Sequence, residues 1–205
     1  MDKFLSLEKP AFGEYSEKRS RFLARIFPCA DENEAQRQIS EIRSEFFDAK
    51  HVVFAYSLVS GKFKYSDDGE PHSTAGKPIF DILEGKNLKN INAIVVRYFG
   101  GVLLGPGGLM RAYGQAVKNA LENAQLKEFK KMAVFRLECG YPEFSEVKKL
   151  IADNDGRIIN SEYSQVINTE FYLSDFKSLI FEDKLKEKFN SKISAQKLSE
   201  KYFSE

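Results

Sequence analysis

The segment SDDGEPHSTAGKP, residues 66–78, concentrates side chains that could do chemistry. Asp67, Asp68, Glu70 and His72 are of the types that ligate a divalent cation or carry out acid–base catalysis. The alternating oxygen ligands and the distant glutamate of an EF-hand loop are absent, however, and the sequence identifies no nucleophile as a partner for His72. Both the metal site and catalysis therefore rank below a structural role for this segment, with the metal site ahead of catalysis.

In the structural role, the acidic segment holds a basic group in place. We expect its carboxylates to pair with Arg97 or Lys77 and so to fix the glycine-rich loop that follows later in the chain. Ser73 or Thr74 would cap the next helix through its hydroxyl group. The residues predicted to form this wall of a cleft are Asp67, Asp68, Glu70 and Thr74.

The glycine-rich segment GGVLLGPGG, residues 100–108, is the second candidate. It lies between a predicted buried strand and a predicted helix, so its free backbone N–H groups would favour an anion. Its spacing fits neither the P-loop nor the dinucleotide-binding fingerprint. A purely conformational role for the glycines is about as well supported as an anion site. The candidate phosphate- or nucleic-acid-binding residues are Lys77, Arg97, Gly100, Gly101, Gly105, Gly107, Gly108 and Arg111.

A second local basic cluster precedes both segments. It consists of Lys18, Arg19 and Arg21. A solvated strand face is the alternative explanation for these three residues, and it is the commoner case.

Hydrophobic periodicity predicts the elements that position these loops. In the first part of the chain they are a strand or hairpin over 12–28, a helix capped by Asp31, a hairpin from 51, a helix containing Pro78 with Gly85 just past its end, a strand over 91–99, and a helix with a buried side from Leu109 to Ala124. A polar connector, KEFKK at 127–131, follows. The rest reads strand, helix, strand, strand, helix, strand, which is the ferredoxin-like order. We therefore predict an α+β fold with two domains, 1–128 and 131–205.

Composition limits the functions that the chain can have. Lys and Arg total 31 against 30 for Asp and Glu, so there is no global charge to attract nucleic acid or a membrane, and any anion site must be local. Cys29 and Cys139 share no metal-binding spacing and are expected to be reduced thiols. No signal peptide or run of about 18 apolar residues is present, which predicts a cytoplasmic protein without a membrane partner. We expect no cofactor and no metal.

Taken together, several motifs resemble one family. They are EKRSRF at 17–22, His51 before a strand, the segment 66–78, and VVRYFGGVLLGPGGLMRAYG at 95–114. The resemblance is to the YigZ/IMPACT family, and it extends over the whole chain. The matching positions are Lys18, Ser20, Arg21, Phe22, Asp67, Asp68, Gly69, Glu70, Pro71, Thr74, Ala75, Gly76, Lys77, Pro78, Arg97, Tyr98, Gly100, Gly101, Leu104, Gly105, Gly107, Gly108, Ala112, Tyr113 and Gly114.

The resemblance implies a fold and a biological setting. Residues 1–128 would form an IMPACT-like domain similar to domain 2 of the ribosomal protein S5. Residues 131–205 would form a ferredoxin-like domain that resembles a domain of elongation factor G. Eukaryotic members of the family are regarded as regulators of translation that bind the activator of the amino-acid-starvation kinase, whereas the bacterial members have no settled biochemical activity.

Three functions remain open on these grounds. The leading one is a non-catalytic binding protein that engages RNA or the ribosome, is linked to translation regulation, and contacts phosphate in a glycine-rich cleft. The first alternative is a Mg²⁺-dependent enzyme acting on a phosphorylated small molecule. The second is a protein-interaction module without a ligand site, so a protein partner is possible. Whether the chain is an enzyme is an open question, and the sequence favours a binding role over catalysis.

Overall fold

The computed structural model describes residues 3–204. The chain divides into two compact units, Phe4–Glu128 and Phe129–Glu205 together with Lys3. We call them the N-terminal unit and the C-terminal unit. Each combines helices with an antiparallel sheet, so the predicted α+β fold with two domains is confirmed.

The first part of the chain forms six strands and three helices among the described residues. They are β1 (Lys3–Leu7), β2 (Ala11–Glu17), β3 (Ser20–Pro28), α1 (Glu32–Glu45), β4 (His51–Ser57), β5 (Phe63–Ser66), α2 (Gly76–Gly85), β6 (Ile91–Tyr98) and α3 (Gly105–Glu122). The later elements are β7 (Leu126–Cys139), α4 (Tyr141–Asp153), β8 (Arg157–Tyr163), β9 (Ile167–Leu173), α5 (Asp175–Lys188) and β10 (Ala195–Ser204).

In the N-terminal unit, an antiparallel sheet of order β2-β3-β6-β4-β5 is covered on both faces. The position of the central strand β6 explains why its sequence is almost continuously apolar. Ala93 and Val95 pack into a core with residues of α2 and α3, whereas Ile94 and Val96 pack into a second core with residues of α1. This confirms the prediction of a strand buried on both sides.

The ends of two helices test the predicted caps. Asp31 caps α1 as predicted, since its carboxylate accepts the Glu34 N–H at 2.8 Å. The prediction that Gly85 lies just past the end of α2 is wrong, because Gly85 is the last helical residue. Asn87 adopts the left-handed conformation instead, with φ 52°, and the Leu88 N–H donates to the Leu83 carbonyl, which closes a Schellman motif.

In the C-terminal unit, the sheet order is β10-β7-β9-β8, with α4 and α5 packed on one face. This is the order of a ferredoxin-like βαββαβ fold. The predicted connector at 127–131 is wrong, because these residues lie within β7. Polar side chains did not prevent a strand here, since Lys130 and Lys131 pair through their backbones with Phe203 and Tyr202 of β10.

Candidate functional site

Asp67 organises the acidic segment through its carboxylate. One oxygen accepts the Ser73 N–H at 2.8 Å, and the other accepts the Ala75 and Gly76 N–H groups at 3.0 and 2.9 Å. Asp67 therefore caps α2. The prediction that Ser73 or Thr74 caps this helix is wrong, because the Thr74 hydroxyl donates instead to the Pro71 carbonyl at 2.6 Å.

Asp68 ties the same segment to α1 and β4. One carboxylate oxygen accepts the Val52 N–H at 2.7 Å, and the other forms an ion pair with Arg43. The Asp68 carbonyl lies 2.8 Å from Nδ1 of His51. Because a carbonyl only accepts, Nδ1 carries the proton, and Nε2 is left facing the Glu70 carboxylate at 3.8 Å.

Glu70 is the centre of a buried polar network. Its Oε1 accepts hydrogen bonds from the Arg97 guanidinium at 2.5 Å and from the Tyr113 hydroxyl at 2.7 Å. Glu70 is only 9% exposed and Arg97 only 4%. Burial, together with the neighbouring Glu70 carboxylate, raises the pKa of Tyr113 far above its usual range. The structure thus contains the ion pair to Arg97 that the sequence predicted.

The Arg97 guanidinium also has aromatic neighbours. It lies 5.3 Å from the ring centre of Phe22 and 5.4 Å from that of Phe99. Its Nε is buried without a hydrogen-bond partner. Arg97 is therefore held by the Glu70 carboxylate, the Ser20 hydroxyl at 3.5 Å and two rings, and its Nε has no acceptor.

The three carboxylates of the segment are engaged in these contacts. Between residues 3 and 204, no group of three or more His, Cys, Asp or Glu side chains is arranged to hold a metal ion. The acids act on backbone N–H groups and on arginines, so their observed contacts order the loop and the helix that follows it.

The glycine-rich segment, residues 100–108, has two different conformational requirements, and we call it the glycine loop. A Cβ atom on Gly100 would lie 2.1 Å from the backbone carbon of Arg19, so only glycine fits against the β2–β3 turn. Gly101 and Gly105 have φ of 82° and 71°, which favours glycine. Gly107 and Gly108, predicted to lie before the helix, are instead inside its first turn, because α3 begins at Gly105.

A cavity of about 390 Å³ lies between the acidic segment and the glycine loop. We call it the cleft. The residues that line it are Lys50, His51, Gly69, Glu70, Pro71, Arg97, Phe99, Leu103, Leu104, Gly105, Pro106 and Leu109.

The charge around the cleft favours an anion. Lys50 is exposed, its ammonium lies 5.1 Å from the ring centre of Phe99, and the described residues offer it no carboxylate partner. The cleft is also lined by Gly105 and Pro106, the first residues of α3, where the Gly105 N–H group and the positive end of the helix dipole favour an anion. Glu70 is the one acid among the lining residues, and Arg97 compensates its charge.

The cleft contains only some of the predicted site residues. Glu70, Arg97 and Gly105 line it, and the remaining predicted residues do not. Lys77 pairs with Asp81 on the surface of α2, and Arg111 is exposed on α3. The predicted residues that lie outside the cleft lining are Asp67, Asp68, Thr74, Lys77, Gly100, Gly101, Gly107, Gly108 and Arg111.

The predicted basic cluster lies at the β2–β3 turn. Lys18 and Arg19 adopt left-handed conformations, with φ of 46° and 67°. Arg21 pairs with Glu14 across the hairpin at 3.0 Å, and this hydrogen bond raises the pKa of Arg21.

Among the residues that line the cleft, two with polar side chains were not predicted as site residues. Lys50 and His51 immediately precede or begin β4, and His51 pairs in register with Arg97 of β6. The signal that could have found them is the antiparallel pairing of these two apolar strands, which brings the start of one strand beside the end of the other.

A larger cavity, of about 540 Å³, lies in the C-terminal unit. Glu138, Cys139, Glu143 and Lys192 are among the residues that line it. Burial raises the pKa of the Cys139 thiol, which disfavours the reactive thiolate. This cavity contains no buried ion pair like that of Glu70 and Arg97, and we therefore favour the cleft as the functional site.

Within residues 3–204, no helix has the length and apolar character needed to cross a membrane.

Comparison with known proteins agrees with the motifs. A family model described as the Impact N-terminal domain matches residues 18–121. The Escherichia coli protein described as IMPACT family member YigZ is 36% identical over 172 residues, which cover 82% of this chain and 84% of that protein. The Bacillus subtilis protein described as IMPACT family member YvyE is 32% identical over 177 residues, with coverage of 85% and 82%.

More distant relatives and a solved structure extend the comparison. The human protein described as Protein IMPACT is 30% identical over 98 residues, or 44% of this chain and 30% of that protein. A solved structure titled "Crystal structure of an hypothetical protein" superposes with a TM-score of 0.66 and 31% identity, covering 97% of this chain and 98% of that one. From the motifs, the matched domain and the relatives similar over most of its length, the chain belongs to the YigZ/IMPACT family.

Proposed function

We propose that this chain is a non-catalytic, cytoplasmic binding protein of the translation machinery, which holds RNA phosphate in the cleft. The observation that carries the proposal is the meeting of an unpaired lysine, Lys50, with the N-terminus of α3 in a cavity whose one acid is already neutralised. Such an arrangement attracts anions. The family relationship to eukaryotic IMPACT proteins supports a role connected with translation.

The charge balance and the cysteines are consistent with this proposal. A formal net charge of +1 favours a local phosphate contact over a broad electrostatic attraction. Cys29 and Cys139 are free thiols, which suits a reducing compartment such as the cytoplasm.

The structure also changes which residue should be tested. Arg97 was one of the residues predicted to contact phosphate, but it is buried against Glu70, and its removal would disturb the fold. Lys50 is exposed at the cleft, so its substitution reports on binding. Lys118, exposed on α3 and outside the cleft lining, provides a control with the same change of charge.

Ribosome co-sedimentation across a salt series tests the proposal. We expect the wild type and Lys118→Glu to sediment with ribosomes at low salt and Lys50→Glu to remain in the supernatant. Equal sedimentation of all three proteins would remove the cleft from the account, and no sedimentation of the wild type at any salt concentration would overturn the ribosome proposal.

A protein-docking surface is a second candidate, favoured by one specific observation. The side chain of Leu103 at the edge of the cleft is 82% exposed, and Val102 and Met110 nearby are also exposed. Exposed apolar residues of this kind occur at protein interfaces. Loss of ribosome sedimentation in Leu103→Ser together with retention in Lys50→Glu would favour this candidate.

The Mg²⁺-dependent enzyme is less well supported than either. Its proposed ligands, Asp67, Asp68 and Glu70, already accept hydrogen bonds from backbone N–H groups, Arg43, Arg97 and Tyr113. A magnesium ion would have to displace these partners.

A further inference from the structure

We propose that the cleft recognises a terminal phosphate monoester, and not the phosphodiester backbone within an RNA chain. This inference rests on the proposed function of the cleft as a phosphate site, and it adds which kind of phosphate the cleft takes.

The shape of the cleft suits the end of a chain. Glu70, Arg97 and Leu109 line it and are all buried, so they form its floor, whereas Lys50 and Leu103 are exposed and form its rim. A volume of about 390 Å³ is near the lower end of the range for small-molecule sites. A floor of buried residues and a small volume suit the end of a chain, because an internal segment would have to be accommodated along its whole length.

The cleft also brings several hydrogen-bond donors together. The N-terminus of the 18-residue helix α3 contributes the Gly105 N–H group and the positive end of the helix dipole, and Lys50 contributes an ammonium group. Independently of both, Arg97 lines the cleft with a buried Nε that has no hydrogen-bond partner. A buried donor without an acceptor is costly, and a ligand oxygen that reached this Nε would relieve that cost.

The charge of the cleft also favours a phosphate monoester over a diester. At neutral pH, a phosphate monoester carries between about −1.5 and −2 charges, whereas a diester carries one. The cationic groups of the cleft face a single acid, Glu70, which is paired with Arg97. The cleft therefore has an excess of positive charge that the monoester compensates better.

The rim of the cleft could contact the part of the ligand to which the phosphate is attached. Phe99, Leu103 and Leu104 provide apolar and aromatic surface beside the donors. This surface suits the sugar and base of one terminal nucleotide. The shared chemistry is a nucleotide phosphate monoester, which could be the end of an RNA chain or a free mononucleotide.

The experiment measures binding of the full-length protein to labelled RNA hexamers by fluorescence anisotropy. The hexamers have one sequence and carry a 5′-phosphate, a 3′-phosphate or hydroxyl groups at both ends. Adenosine 5′-monophosphate and inorganic phosphate serve as unlabelled competitors. We expect at least one phosphorylated end to bind about tenfold more tightly than the hydroxyl-ended RNA.

Matched variants locate the preference. Lys50→Ala should abolish the difference between phosphorylated and hydroxyl-ended RNA, whereas Lys118→Ala should retain it. Thermal melting confirms that both variants fold. A preference that survives in Lys50→Ala would overturn the assignment to the cleft.

The outcomes separate this inference from the proposed function. Equal affinity for all three hexamers would overturn the monoester preference and leave RNA binding intact. Binding of adenosine 5′-monophosphate in isothermal titration calorimetry, with no binding of any RNA, would support the monoester chemistry and overturn the RNA function. Absence of binding to every probe would overturn both.

Discussion

Single residues determine whether the cleft can exist, and Glu70 is the most informative of them. Its carboxylate accepts hydrogen bonds from the Arg97 guanidinium and the Tyr113 hydroxyl, and all three side chains are buried. Removing one partner of a buried ion pair leaves the other charge uncompensated, at a cost of about 3–5 kcal/mol. We expect Glu70→Gln to lower the free energy of unfolding by about 3 kcal/mol, measured by urea denaturation.

An exposed pair supplies the control for that measurement. Lys77 and Asp81 form an ion pair on the surface of α2. Exposed pairs contribute at most about 1 kcal/mol, so Asp81→Asn should change the free energy of unfolding little. Similar losses for the two variants would contradict the role of Glu70 as the centre of a buried network.

Tyr113 gives a prediction about pH. Burial, and then the Glu70 carboxylate, raise the pKa of Tyr113 well above its usual value of about 10. The neutral hydroxyl is therefore favoured in the folded state. Its contribution to stability is complete below about pH 10 and is lost as the pH rises further, because the unfolded chain then releases this proton while the folded chain retains it.

An alkaline titration monitored by tyrosinate absorbance tests this prediction on the folded protein. Between about pH 9 and 11, wild type and Tyr113→Phe should gain the same absorbance, since Tyr113 does not ionise in the folded state. A deficit of one tyrosine in the variant would show that Tyr113 ionises there.

At the level of elements, the N-terminus of α2 is capped by a side chain that lies several residues upstream in the sequence. Asp67 accepts the N–H groups of Ser73, Ala75 and Gly76. Loss of a helix cap costs about 0.5–2 kcal/mol, so Asp67→Ala should destabilise the protein by at least about 1 kcal/mol. Ser73→Ala should cost less than about 0.5 kcal/mol, because its hydroxyl contacts only the exposed His72 ring. The reverse order of the two losses in urea denaturation would contradict capping by Asp67.

The glycine loop and the β2–β3 turn are fitted to one another at Gly100. A Cβ atom there would lie 2.1 Å from the backbone of Arg19, so Gly100→Ala must displace the turn, and we expect a loss of more than about 2 kcal/mol. Gly85 is the matched control, since a Cβ atom at that helical position meets nothing within 4 Å. Gly85→Ala should be neutral or stabilising by up to about 1 kcal/mol. Equal losses of stability in the two variants, measured by thermal melting, would contradict the proposed fit between Gly100 and the β2–β3 turn.

Local patterns explain which elements were predictable. The β4–β5 hairpin, β6 and α3 follow from hydrophobic periodicity, because each pattern lies within one element. The cap of α2 was assigned wrongly to Ser73 or Thr74, because Asp67 acts from up to nine residues upstream. Strand β1 has no counterpart among the predicted elements.

The candidate site was predictable to a smaller extent, because it depends on long-range pairing. The composition of the two loops identified Glu70 and Gly105, and the end of the predicted strand before the second loop identified Arg97; all three line the cleft. Lys50 was missed because nothing in its local sequence marks it. It reaches the cleft because β4 pairs with β6, and this register depends on the whole sheet.

At the scale of the whole molecule, the charges nearly cancel, and phosphate binding therefore depends on the local charge of the cleft. A net charge of +1 provides no general attraction for nucleic acid, so binding must be carried by few phosphate contacts. The N-terminal unit contains the acidic segment, the glycine loop and Lys50. The proposed function is thus assigned to that unit.

The most direct test of the central claim is a backbone-amide NMR titration of the whole protein with a 5′-phosphorylated RNA hexamer. We expect the largest shift changes at Gly105, the first residue of α3, and at His51 beside Lys50. Lys50→Glu should suppress these changes. Largest changes at Lys18 and Arg19 of the β2–β3 turn, or within Phe129–Glu205, would contradict the assignment of phosphate binding to the cleft.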